Sequence, residues 1–300
     1  MTMNLSQFTN LSLIDTPIVG LVLNDLAYRP AITDLLFMNE MAERYKEVEQ
    51  QVADFGEFAV KAEGATYPTD VANEEYQATY IQVNYGKLFA KTKFLDKFEL
   101  FGYMRQLAGK IANAMVYTRD KNAMAIFNNG FGTFTSPDGV ALFSAAHTRK
   151  NSATTDTNII TAADLNATSL NALITVVRKT TDPRGKYLNM MPIRLLGPVD
   201  LEKEMVEVTK SDLRPGTTDN DVNAVKFRAP NLDWVSSPHL SDADAWFIQA
   251  DRHYLKRKFS EGLAVSSQVD FYTDNLMTKA GYMEDYGVSD WRGIYGSAGA

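Results

Sequence analysis

The chain has 300 residues, 45% hydrophobic and 22% charged, enough to bury a core in one large domain or two medium ones. With no cysteine, disulfides, thiol nucleophiles and cysteine zinc sites are excluded, and three scattered histidines count against a histidine metal site, so no metal or cofactor is expected. A net charge of -7 counts against gripping a phosphate backbone, which requires clustered Lys and Arg. No apolar run reaches the roughly 20 residues of a membrane span, and the first residues lack the basic and apolar regions of a secretory signal, so a soluble protein without membrane contact is expected.

The first 30 or so residues hold no period, and the Tyr28-Arg29-Pro30-Ala31 stretch breaks any early helix, so an extended arm is predicted. Thr33 is then placed to cap a helix whose apolar stripe is Leu35, Met38, Met41, Tyr45, Val48 and Val52, with Glu43, Arg44, Lys46 and Glu49 facing away. From about 55 to 94 the period changes to two. Ala78, Tyr80, Gln82 and Asn84 share one face and Thr79, Ile81, Val83 and Tyr85 the other, which predicts a long two-stranded hairpin. Neither face is apolar enough for a core strand, and an isolated ribbon is marginal in water. It should therefore rest on another molecule, with Tyr67, Tyr76, Tyr80 and Tyr85 as candidate contacts.

Asp96 and Glu99 stand at capping-box spacing before Phe98, Phe101, Met104, Leu107, Ile111 and Met115, and the pattern continues through Ala123, Met124 and Phe127 to the Asn128-Asn129-Gly130 stop. About thirty residues at 1.5 Å each make a rod of roughly 45 Å. Arg105 lies off its apolar stripe and is a further candidate for a neighbour contact. Thr161 and Asp164 suggest a second cap, before the stripe Leu170, Leu173, Ile174, Val177. Residues 190–198 read as a short buried strand, and Pro198 opens a helix carrying Leu201, Met205 and Val208. Residues 211–221 are a loop. Strand-like pieces follow at 222–228, 232–236, 245–250 and 262–273, and 279–295 alternates again. The irregular mixture of helices and strands argues for an α+β fold.

One stretch, DGVALFSAAHTR at 138–149, places Asp138, Ser144 and His147 within ten positions. A serine hydrolase elbow needs G-x-S-x-G, whereas Phe143 and Ala145 flank Ser144. Closeness in sequence says little about catalytic geometry, and the better reading is a structural polar cluster built on Asp138, Phe143 and His147. Residues 130–134 contain G-x-G without the rest of a dinucleotide fingerprint and read as a turn. His239 and His253 read as surface or satisfied polar residues, and the basic run Leu255-Lys256-Arg257-Lys258 as a strand edge or a subunit salt bridge.

The same stretch resembles the central motif of tailed-phage major capsid proteins, particularly the Mu-like prophage major head subunit group. RLLGPVDLEKEMVEV at 194–208 and LDWVSSPHLSDADAWFIQAD at 232–251 are similar to later strands and a helix of that family, in the same order. The resemblance implies the Hong Kong 97-like fold: an N-terminal arm and helix (1–55), an extended loop (56–94), a peripheral domain with a spine helix (95–140), an axial domain (141–245) and return strands of the peripheral domain (246–300). It also implies a non-enzymatic protein that self-assembles through pentamers and hexamers into an icosahedral head shell in the bacterial cytoplasm. That shell would enclose packaged double-stranded DNA without sequence-specific binding, with portal, scaffold or decoration proteins as partners. Two alternatives remain open at this point: an encapsulin-like nanocompartment shell, and a soluble enzyme using Ser144 and His147.

Overall fold

A computed structural model describes residues 31–98, 103–150, 152–213 and 222–300, with side chains for all of these but 96 and 103–108. In chain order the elements are α1 (Ile32–Leu36), β1 (Met38–Met41), β2 (Lys46–Val52), β3 (Glu74–Ile81), β4 (Val83–Lys91), α2 (Lys93–Lys97) and the long α3 (Tyr103–Asn128). Then come β5 (His147–Arg149), β6 (Ser152–Asp156), α4 (Ala167–Lys179), β7 (Pro192–Pro198), a 3₁₀ turn (Val199–Leu201), α5 (Glu202–Lys210) and α6 (Ala224–Arg228). Five strands close the chain: β8 (Asp233–Ser237), β9 (Trp246–Ala250), β10 (Leu255–Val269), β11 (Leu276–Val288) and β12 (Ile294–Ser297). They form two compact units, one running through Glu47 with Tyr80–Ala123 and Arg257–Tyr286, the other comprising Val48–Thr79, Met124–Lys256 and Gly287–Ala300. The expected arm and the loop at 214–221 lie outside the described residues.

The first unit is a four-stranded sheet in the order β1-β10-β11-β4. β4 and β11 are antiparallel in a register that sets Tyr85 against Tyr282, and their rings stack at 5.1 Å. Ile111, Ala114, Met115 and Thr118 of α3 meet Tyr85, Gly86, Leu263, Ala280 and Tyr282 around a cavity of 240 Å³. The part of the α3 stripe that carries Ile111 and Met115 therefore rests on this sheet, as its spacing predicts. Its 26 residues span about 39 Å at 1.5 Å each. The start differs from the expectation: residue 96 falls in the last turn of the separate short helix α2, whose cap is Thr92 accepting from the Leu95 N–H at 3.3 Å, and Glu99 lies outside the described residues. Beneath the strands, the fully buried Glu284 carboxylate accepts from Arg257 Nε (2.7 Å) and the Tyr286 hydroxyl (2.7 Å) and faces Arg119 Nε at 3.6 Å. A buried carboxylate persists only with partners of this kind.

The helix expected over 33–52 is not formed. Thr33 sits inside the one-turn α1, and its hydroxyl and N–H both donate to Asp120 Oδ1 (2.9 and 3.1 Å). Beyond it the chain extends as β1 and β2, because the polar residues between the apolar ones find partners far along the chain. Lys258 Nζ lies 3.4 Å from Glu47, and Lys256 Nζ lies 2.9 Å from Glu49. Spacing alone does not reveal such long-range ion pairs. The two-stranded ribbon consequently pairs β3, which lies within the predicted hairpin, with β2, which lies upstream of it, and residues 56–73 between them carry no regular structure. β4, predicted as ribbon, belongs to the four-stranded sheet.

The second unit is built on the sheet β12-β9-β7-β8. β7 and β8 are parallel, and β9 is antiparallel to both β7 and β12. The connection between the parallel strands carries α5 and α6, as a parallel crossover requires. α4 presents Leu170, Leu173, Ile174 and Val177, all fully buried, to a core shared with Leu195, Met205, Trp246, Ile248 and Tyr295. Its cap is Asn166, whose side chain accepts from Thr168 and Ser169 N–H (both 2.9 Å) while Ser169 Oγ answers the Asn166 N–H (3.0 Å). Thr161 and Asp164 do not make this box. Residues 222–228, read as strand-like, contain instead the helix α6, started by Asn223 accepting from Val225 N–H at 3.1 Å. β9 and β12 belong to this sheet, so 246–256 and 287–300 fall in the same compact unit as β7 and β8.

Candidate functional site

Residues 136–147 fold into a closed polar centre. A turn with Gly139 at φ +81° lets Asp138 accept from the Ser136 hydroxyl and from Val140 N–H (3.2 Å), while its second oxygen lies 2.7 Å from His147 Nδ1. Burial pushes the Asp138 carboxyl up, but the hydrogen bonds from His147, Ser136 and Val140 outweigh it and hold the group below its usual range. The His147 ring has no exposure and stacks on Trp291 with centroids 4.4 Å apart and planes 7° from parallel. Its Nε2 faces Leu142 O (3.2 Å) and Asn158 Oδ1 (3.3 Å). Asn158 in turn donates to Leu142 O (2.6 Å) and Ile294 O (3.1 Å) and accepts from Ser144 N–H (2.9 Å).

Ser144 and His147 are not a nucleophile and its base. The Ser144 hydroxyl accepts from Ala146 N–H at 3.1 Å, and both nitrogens of His147 are directed at Asp138, Leu142 and Asn158. The enzyme alternative therefore has no catalytic pair at this stretch. On the other side Phe143 packs 4.9 Å from both Phe131 and Phe247, and a Cβ on Gly130 would stand 2.6 Å from its ring. The stretch is thus a staple. Phe143 holds the end of α3 and β9, and His147 with Asn158 holds the segment leading into β12. The basic run at 255–258 is also internal to the subunit: Lys256 pairs with Glu49, Arg257 with Glu284, and Lys258 with Glu40.

One run of exposed apolar side chains lies on the ribbon and its loop; Phe271 and Tyr272, each 91% exposed, lie apart from it in the chain. β2 is inside-out: Glu47, Glu49 and Gln51 are half-buried, with Gln51 donating to Ser289 O, whereas Val48 and Val52 are 51% and 60% exposed. Beyond them Phe55, Phe58, Val60, Tyr67 and Val71 are exposed, Phe58 completely. Of the predicted contact residues Tyr67 lies in this loop, with Lys61 Nζ 4.7 Å from its ring centroid. Tyr76 is half-buried, its hydroxyl 2.9 Å from Thr148 Oγ1. Tyr80 is a correction: it is 1% exposed, pointing into its own subunit because β3 alternates Ala78 and Tyr80 inward. Tyr85 is half-buried against Tyr282, and burial followed by the nearby Glu284 and Asp285 raises its hydroxyl above the ordinary range. The side chain of Arg105 lies outside the description. Sequence reasoning missed Val48, Val52, Phe55 and Phe58, though the alternation of Glu47, Glu49 and Gln51 with valines is visible in the sequence.

A protein family described as phage capsid protein matches residues 76–297 of the chain. No curated protein matches it in sequence. Among solved structures it is similar to the capsid of cyanophage P-SCSP1u (TM-score 0.62, 12% identity, covering 90% of this chain and 88% of that one). It is also similar to a chain of Mycobacterium phage Adephagia (0.59, 12%, 91% and 91%), and to the capsid of a native GTA particle (0.58, 9%, 96% and 92%).

Proposed function

This chain belongs to the phage capsid protein family, with the Hong Kong 97-like fold of tailed-phage head shells, and we propose that its inside-out ribbon is the surface through which one subunit docks on the next. The major capsid protein of a tailed phage is by its nature a self-associating structural protein. The observation that carries the ribbon's part is the reversed polarity of β2. A strand that turns its half-buried glutamates toward Lys256 and Lys258 and its Val48 and Val52 to solvent leaves two valines that gain nothing until an apolar surface covers them. Repeated around five-fold and six-fold positions, such contacts can each be modest and still close a shell. The shell would enclose double-stranded DNA without gripping it, in keeping with the net charge of -7. Portal, scaffold or decoration proteins would be its partners during assembly in the host cytoplasm. The match to a phage capsid family favours a DNA-holding head over the encapsulin-like alternative, and the Mu-like group remains the subgroup its motifs resemble.

The test is a double substitution, Val48→Asp with Val52→Asp. Both side chains are exposed, so the isolated subunit should keep its unfolding free energy within about 0.5 kcal/mol. Electron microscopy and size-exclusion chromatography should find closed particles from the parent and none from the variant. Normal particles from the variant would remove the ribbon from the interface. A parent chain that stays monomeric under all assembly conditions would remove the self-assembly reading itself.

A further inference from the structure

The loop between β2 and β3 is long and carries exposed apolar side chains, and it makes few backbone hydrogen bonds of its own. Its tip has a single turn, Ala65 N–H to Ala62 O at 3.1 Å, with Gly64 at φ +78°. Such a segment would wander unless something held its neck. The holding group is Asp70. Its carboxylate accepts from Gly56 N–H (2.6 Å) across the neck and from Val71 N–H (2.8 Å), and Arg184 Nη1 lies 2.8 Å from both oxygens. Arg184 Nη2 also donates to Val71 O. A second cation, Lys186, donates to Phe55 O at 2.5 Å.

Both cations stand on one tight turn. Asp182 Oδ1 accepts from the N–H groups of Arg184 (2.9 Å) and Lys186 (2.7 Å), and Gly185 takes φ +87° to close the turn. An L side chain at 185 would be strained there. The cations are therefore presented by a rigid loop of the same unit, and the anion sits where the two arms of the ribbon separate. Hydrogen bonds from Arg184, Gly56 and Val71, in that order of weight, lower the Asp70 carboxyl to about 2, so the neck stays charged at any pH where the protein works.

We propose that Asp70 and Arg184 form a clamp that aims the apolar tip of the ribbon and so sets how fast one subunit docks on a second copy of this chain. The docking half rests on the assembly reading above; the clamp itself does not. The clamp does not cover the tip, since Phe58 and Val60 are fully exposed with it closed. Its effect is preorganisation: a tip already pointed loses less freedom on binding. Asp70 and Arg184 are positioning residues, acting through Phe55, Phe58 and Tyr67.

The experiment uses the intact chain with Asp70→Ala, Arg184→Ala, both together, and Arg184→Lys. Chymotryptic cleavage at Phe58 and tryptic cleavage at Lys61 in the isolated subunit report neck opening, and light scattering reports the initial rate of particle formation. Losing a charge-assisted cluster should raise cleavage about tenfold in D70A and less in R184A, with R184K between R184A and the parent. The double variant should match D70A, because both changes break one unit. Assembly should slow in the same order while melting temperatures stay at the parental value. Parental cleavage rates in D70A and R184A, or strictly additive effects in the double variant, would overturn the clamp. Faster cleavage with an unchanged assembly rate would overturn its role in docking. If the parent forms no particles, it is the shell reading that fails, and the cleavage rates still decide the clamp.

Discussion

Replacing His147 with alanine tests the staple most directly. The ring has no exposure, and its loss removes a 2.7 Å contact to Asp138 and a 4.4 Å stack on Trp291. A hydrogen bond to a charged group contributes about 1.5–3 kcal/mol and an aromatic pair about 0.5–1.5 kcal/mol beyond burial. Asp138 keeps Ser136 and Val140 as partners, which limits the penalty of an abandoned buried carboxylate. The expected destabilisation is therefore about 3 kcal/mol, a large share of the roughly 5–15 kcal/mol that holds a domain folded. Urea unfolding of the isolated subunit should show a lower midpoint at unchanged slope. Asp138→Asn should cost less, and the double variant should fall short of the sum by at least about 1 kcal/mol. The pH dependence has a definite sign. The folded Asp138 carboxyl lies below its unfolded value, so its contribution is present above that unfolded value and disappears as pH falls through the lower folded one. Asp138→Asn should flatten that part of the acid limb. A His147→Ala chain within 0.5 kcal/mol of the parent, or strict additivity, would refute the staple.

Gly130→Ala would place a methyl 2.6 Å from the Phe143 ring, and such overpacking should lower stability by about 1–3 kcal/mol in thermal or urea unfolding. Replacing residues 57–69 by a short Gly-rich turn leaves Gly56, Asp70 and β3 in place, so the subunit should melt normally yet form no closed particles by electron microscopy. His253 is pushed down to about 4, first by burial and then by Arg194 nearby. Unfolding lets it take up a proton between that value and its ordinary one near 6.5, so stability falls as pH drops through this window. His253→Gln should lessen that slope, as measured by unfolding between pH 7 and 4.

How far the sequence could be read depended on where each residue's partner lies. α4 was legible because Leu170, Leu173, Ile174 and Val177 report their environment through local spacing. The face of α3 seen at Ile111 and Met115 was legible for the same reason. The segment 33–52 was not. Its apolar residues recur at helical spacing by coincidence, and the choice of strand is made by Lys256 and Lys258, about two hundred residues away. Assuming that apolar residues turn inward then sent Val48 and Val52 to the wrong side. At the 138–149 stretch the residue types were informative and the roles were not. His147 and Asp138 could be named, but Asn158, Trp291 and the Phe131 and Phe247 rings that explain them are brought in only by the fold. Asp70 and Arg184 carried no local signal at all, because the pair exists only once a turn and a loop 114 positions apart in the chain have met.

The pairing of β1 with β10 also governs when the molecule can exist during synthesis. Ala42 N–H donates to Phe259 O, so the first described strand has no partner until more than two hundred further residues have left the ribosome. At roughly 5–20 residues per second that wait is on the order of 10–40 s, and contacts of such separation are slow to form even afterwards. The ion pairs that turn β2 inside-out depend on the same late segment. A nascent or truncated chain therefore cannot present Val48 and Val52 in their working orientation. Completion of the polypeptide becomes a condition for displaying the sticky strand, which keeps fragments from competing for places beside finished subunits.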